Sequence, residues 1–140
     1  MPAKNYDGFT KEERAAMKEH ATAMKAAAKG ADEAQQVTDK IAELEGPDRE
    51  LAERIHAIVT GAAPDLSPKL WYGMPAYAKD GKVLCFFQAA SKFKARYATL
   101  GFNDPANLDD GGMWATAFAI GTLSDEDEAR IADLVQRAAS

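Results

Sequence analysis

Apolar residues in this chain recur at helical spacing towards both ends and at strand spacing in the middle. The densest stretch is Trp71 to Phe87, WYGMPAYAKDGKVLCFF, which is polar only around Lys79 to Lys82. Asp80-Gly81 suits the positive φ angles of a type I′ turn, so Ala76–Lys79 and Lys82–Phe87 are predicted to pair as an antiparallel hairpin. That register sets Lys79 against Lys82, Tyr77 against Leu84 and Ala76 against Cys85. Away from the tip both faces are apolar, because Val83, Cys85 and Phe87 alternate with Leu84 and Phe86. Such a strand needs cover on both faces, from helices, a ligand or a partner.

The flanks read as helices. Thr10 and Glu13 have the spacing of a capping box, which predicts a helix from Lys11 to Lys29, ended by Gly30. Its thin stripe of Met17, Ala21, Met24 and Ala28 runs beside a basic stripe of Lys11, Arg14, Lys18, Lys25 and Lys29. That pairing suits an acidic partner, a membrane surface, or a helix lightly docked on its own domain. Val37, Ile41 and Leu44 predict a short second helix stopped by Gly46. Pro47, Asp48 and Glu50 open a third, whose Leu51, Ile55, Ile58 and Val59 form a core-facing stripe.

Leu66 to Gly73 reads as a strand broken by Gly73-Met74-Pro75, where glycine permits a bend and proline removes a ladder donor. Lys92, Lys94 and Arg96 alternate with Phe93, Ala95 and Tyr97, the pattern of an edge strand with a cationic outer face. Asn103 to Gly112 reads as a loop. Met113 to Ile120 reads as the last strand, with Trp114, Thr116, Phe118 and Ile120 on one face and three alanines on the other. Ser124 caps a final helix with Ile131, Leu134 and Val135 inward. The elements predict an α+β fold: an antiparallel sheet of about four to six strands packed by N-terminal helices and a C-terminal helix. Residues 1–31 form a helical extension and residues 32–140 the α+β domain proper.

Composition narrows the class. The 140 residues include 46% hydrophobic and 28% charged, ordinary for a globular domain. No apolar run approaches the roughly 20 residues of a membrane span, and the N-terminus lacks the apolar core of a signal peptide. With a single cysteine, Cys85, no internal disulfide can form, and a cytoplasmic location is expected. The net charge of −5 is unevenly placed: residues 65–100 carry six Lys/Arg against two Asp/Glu, while residues 101–140 carry two against eight. A pI near 5.0 and the absence of a reader motif argue against nucleic acid as a partner.

Candidate chemistry concentrates at the bend. Trp71, Tyr72, Gly73, Met74, Pro75 and Tyr77, joined by Trp114, are the candidate ligand-binding residues; the alternative is that these aromatics fill the core. No catalytic residue is selected. Ser67, Ser91 and Ser124 lie in no nucleophile motif, Cys85 is mid-strand, and His20 and His56 lack a third ligand at zinc spacing. Asp125, Glu126, Asp127 and Glu128 complement the dipole of the last helix, and are the only weak candidates for a metal.

WYGMPAY, followed by a DGK hairpin and an aromatic strand, resembles the YdhG-like family, a domain-of-unknown-function group of small bacterial proteins. The Val37–Leu44 segment, Pro47-Asp-Arg and the Leu51–Val59 helix extend the resemblance over roughly residues 35–139. Some members are described as frataxin-like iron chaperones, so the resemblance implies iron as a cofactor or cargo handled by acidic helical surfaces. The chain departs from the family in its extra N-terminal helix and in Ser91–Tyr97. Two functions are thus expected: a non-enzymatic domain binding a small molecule or peptide beside Gly73-Met74-Pro75, or an iron-delivery protein. The sequence leaves the oligomeric state open.

Overall fold

The computed structural model describes residues 10–140. Its elements are α1 (Lys11–Glu43), α2 (Gly46–Ala62), β1 (Ser67–Trp71), β2 (Met74–Lys79), β3 (Lys82–Gln88), β4 (Ala98–Phe102), β5 (Ala117–Ile120) and α3 (Asp125–Ala139). The five strands form one antiparallel sheet in the order β1-β2-β3-β4-β5, each paired with its neighbour in sequence. The fold is α+β, as expected. The chain forms two compact units, Met1–Asp32 and Glu33–Ser140.

In the first unit, the Thr10–Glu13 capping box opens α1: the Thr10 amide donates to Glu13 Oε1 at 2.8 Å and the Glu13 amide to Thr10 Oγ1 at 3.0 Å. Gly30 does not end this helix, which runs on to Glu43 and absorbs the predicted second helix. One interior glycine costs about 1 kcal/mol against alanine, too little to break a run so rich in alanine.

In the second unit the helices share one core. Val37 and Ile41 of α1, Ala52, Ile55 and Val59 of α2, and Ile131, Val135 and Ala138 of α3 are buried with Tyr77, Leu84, Cys85, Phe87, Leu100 and Phe102 of the sheet. Ser124 caps α3 reciprocally with Asp127. Arg54 of α2 pairs with Glu128 of α3 through both carboxylate oxygens, Nε lying 3.1 Å from Oε2.

The β2–β3 hairpin departs from the simple register. Lys79 faces Lys82 as expected, but Tyr77 faces Cys85 and Ala76 faces Phe86, with a register shift between Tyr77 and Ala78. Leu84 is the extra residue, a β-bulge that resets the alternation of β3. Leu84, Cys85 and Phe87 all reach the helix-side core, while Phe86 and Gln88 beyond the bulge point the other way.

Three other strand expectations are corrected. The break at Gly73-Met74-Pro75 is a two-residue hairpin turn, Tyr72-Gly73, with Trp71 opposite Met74; Met74 and Pro75 begin β2. Lys92–Tyr97 is no strand: the segment turns on itself through Lys94 N to Ser91 O (3.3 Å) and Ala95 N to Ala90 O (2.9 Å). Only Ala117–Ile120 of the predicted last strand is extended in the sheet, and Trp114 lies in the loop before it.

Candidate functional site

Within the second unit the helices lie on one side of the sheet only, since every buried residue of α2 and α3, and Val37 and Ile41 of α1, belongs to the single core cluster or caps a loop. The opposite face is set by the ladder: Lys69 pairs with Ala76, Ala76 with Phe86, Phe86 with Gly101, and Gly101 with Ala117. Directly paired residues share a face, so this row crosses all five strands. Trp71 and Met74 lie beside it by alternation, as do Thr99 and Ala119. Among the described residues no carboxylate of the five strands sits on this face, and Lys69 is its one charge.

The face is paved by aromatic rings. Trp71 meets Phe86 at a centroid distance of 5.2 Å and Tyr72 edge-on at 4.9 Å. Gly101 makes this possible, because a Cβ at that position would overlap the Phe86 ring. A glycine opposite an aromatic ring lets the ring lie flat across the neighbouring strand.

At the end of the face where β1 turns into β2, the Ser91–Tyr97 loop closes in. Lys92 Nζ donates to Gly73 O at 2.8 Å. Asp48, the buried carboxylate in the first turn of α2, accepts from the Ser91 amide at 3.1 Å and from the Ser91 hydroxyl. The loop is thus pinned at two points and presents Lys92 over Phe93 (5.9 Å) and Arg96 over Tyr97 (5.1 Å), with Lys94 between them. All of Ser91–Tyr97 is exposed.

Two backbone outliers mark the same place. Of the described non-glycine residues only Tyr72 (φ 51°), Asp80 (φ 51°) and Lys94 (φ 54°) have positive φ. Asp80 precedes Gly81 in a turn that suits it. Tyr72 likewise precedes a glycine in a two-residue hairpin turn, but a bulky residue in the left-handed region is strained there, and Tyr72 is 80% exposed. Strain of this kind costs about 1–3 kcal/mol and is found preferentially at binding and switch sites. Tyr72→Asn is expected to raise stability by about 1 kcal/mol in urea melts. Relief of roughly 1–3 kcal/mol of strain outweighs a ring contact worth about 0.5–1.5 kcal/mol.

The seven residues singled out from sequence are divided by this geometry. Trp71, Tyr72 and Gly73 gather at the open face and its turn, while Met74 shares that face but is buried, 6% exposed. Tyr77 points the other way: it is 1% exposed in the helix-side core, and its hydroxyl meets His56 Nδ1 at 2.9 Å. Pro75 alternates with Met74 and Ala76 and faces the same way as Tyr77. Trp114, 40% exposed, lines a separate groove with Met113, Phe118, Arg130 and Leu134. No single site therefore contains Trp71, Tyr77 and Trp114. Phe86, Lys69 and the Asp48 tether were not legible as site residues, because only long-range pairing brings them there.

The Tyr77–His56 pair is structural. Burial pushes the Tyr77 phenol up and lowers the His56 imidazole below its usual 6.5. His56 is therefore neutral in the fold while the unfolded chain still takes up a proton. Its contribution to stability is complete above about pH 6.5 and declines as pH falls through the lowered value. Urea midpoints are expected to drop between pH 7 and pH 5.5, with a shallower slope in His56→Gln. Tyr77→Phe is expected to cost about 1 kcal/mol, the low end for a stripped partner, since half-buried His56 can turn to water.

Cys85 is buried, which pushes its thiol up to about 12. Asp127 is held by Ser124 and Glu128 by Arg54, lowering both carboxyls. Among the described residues no three His, Cys, Asp or Glu are placed to hold one metal, and no helix is long and apolar enough to cross a membrane. Comparison with family models, curated proteins and solved structures gives no match to the chain.

Proposed function

We propose that this protein is a binding module that captures an acidic peptide on the open sheet face, beside the Tyr72-Gly73 turn. One observation carries the reading: Tyr72 is held in a strained conformation with its ring in water, at the end of the Trp71–Phe86 row. Charge supplies the sign of the ligand. Among the described residues the face has no carboxylate and bears Lys69, and Lys92 borders it at the Tyr72-Gly73 turn on a loop that also carries Lys94 and Arg96. Shape favours a peptide over a small molecule, because small ligands are bound in concave clefts and this surface is a sheet face. Aromatic rings would supply the buried anchors and the cations a rim that steers approach and selects sign. The WYGMPAY motif supplies Trp71 and Tyr72, and membership of the YdhG-like family is part of the same proposal.

The iron-delivery reading finds less support, since Asp127 and Glu128 already have partners within the fold.

A titration of fluorescein-labelled acidic and basic peptides, followed by anisotropy, tests the proposal. Acidic peptides are expected to bind and basic ones not. Tyr72→Ala and Lys69→Glu are each expected to weaken binding about tenfold or more, as for central interface residues. Equal binding of both peptide classes would remove it.

A further inference from the structure

Every described residue from Thr10 to Asp32 is exposed. The large apolar side chains of this span, Met17 and Met24, stand 47% and 60% exposed. A helix in water without packing is marginal even when rich in alanine. The stretch therefore has the character of an element waiting for a partner.

Met17, Ala21, Met24, Ala28 and Ala31 recur at alternating steps of four and three, the core positions of a heptad repeat. The register continues through exposed Gln35 and Thr38, so it stays clear of buried Val37 and Ile41. The residue following each second core position is Lys18, Lys25, Asp32 and Asp39 in turn. Cations flank the seam in its first half and anions in its second. A helix charged in this way complements itself when reversed.

We propose that α1 pairs with α1 of a second copy of this chain as an antiparallel two-stranded coiled coil, with Ala28 set against Ala31 of the partner subunit. In that register Lys25 meets Asp32 of the partner subunit and Lys18 meets Asp39 of the partner subunit, four ion pairs by symmetry. Small residues at the centre let the two helices approach closely. Sliding the pair by one heptad would bring the two Lys25 side chains together. A parallel pair would set Lys25 by His20 and retain only Glu13 to Lys18. The self-complementary charges select the antiparallel arrangement, and charges beside the seam commonly set partner choice and orientation. The sheet face takes no part, so this pairing stands or falls separately from peptide capture.

Sedimentation equilibrium of the full chain across the micromolar range tests it. The mass is expected to rise with concentration from 15.1 kDa to twice that value. Met24→Glu is expected to hold the chain at monomer mass while the urea melt of the sheet domain is unchanged. Lys25→Asp is expected to weaken dimerisation about tenfold, and Lys25→Asp with Asp32→Lys in the same chain to restore it. A chain that is monomeric throughout, a dimer indifferent to Met24→Glu, or a double swap that restores nothing would each overturn the proposal. So would a monomer that co-sediments with anionic vesicles, which would assign the stripe to a lipid surface.

Discussion

Phe87→Ala is expected to lower the unfolding free energy by about 3–5 kcal/mol, the range for truncating a buried phenylalanine. The ring is 1% exposed and is packed in the cluster that joins the sheet to α1, α2 and α3. Its neighbour Phe86 faces the open side and is only half-buried, over Gly101. Phe86→Ala is expected to cost about 1 kcal/mol, since roughly half of a full burial is lost and water can enter the space. Paired urea melts of the two variants compare the two faces of one strand directly. Equal losses would mean that both faces are closed core, and the open-face reading would fall.

Gly73→Val is expected to cost about 3 kcal/mol, the upper end for a residue forced into a sparsely populated backbone region. Gly73 has φ +75°, which valine adopts poorly, and its carbonyl receives Lys92 Nζ. A Cβ there would sit 2.6 Å from that nitrogen, so the variant also displaces the Lys92 ammonium from the turn carbonyl. Gly73→Asn, which tolerates positive φ, is expected to lose far less stability. Urea melts decide between them. If valine and asparagine behaved alike, the turn would not depend on its left-handed geometry.

The features legible in sequence are those written in nearby residues. The Asp80-Gly81 turn, the Thr10 and Ser124 caps and the apolar stripe of α2 each rest on residues within a turn or two of one another. What escaped was long-range or atypical. Tyr72-Gly73 is a second hairpin turn, yet tyrosine is not a residue that such turns advertise, so the stretch read as a bend. Ser91–Tyr97 alternates like a strand, but Asp48, far off in sequence, holds it as a loop. The Leu84 bulge depends on how two strands meet, and neither strand encodes it alone. The same bulge decides which faces Phe86 and Phe87 take, and hence which aromatics are core. Periodicity showed that the hairpin had two apolar faces; only the assembled sheet shows that the helices take one of them.

The most direct measurement maps an acidic peptide onto the protein by amide and indole chemical shifts. The largest changes are expected at Lys69, Trp71, Tyr72, Phe86, Thr99 and Lys92, with the Trp114 indole and the α3 amides unmoved. Phe86→Ala should abolish the changes while the rest of the spectrum stays folded. Shifts gathered instead around Trp114, Phe118 and Arg130, with the Trp71 indole silent, would contradict the account and move the site to the helix side of the sheet.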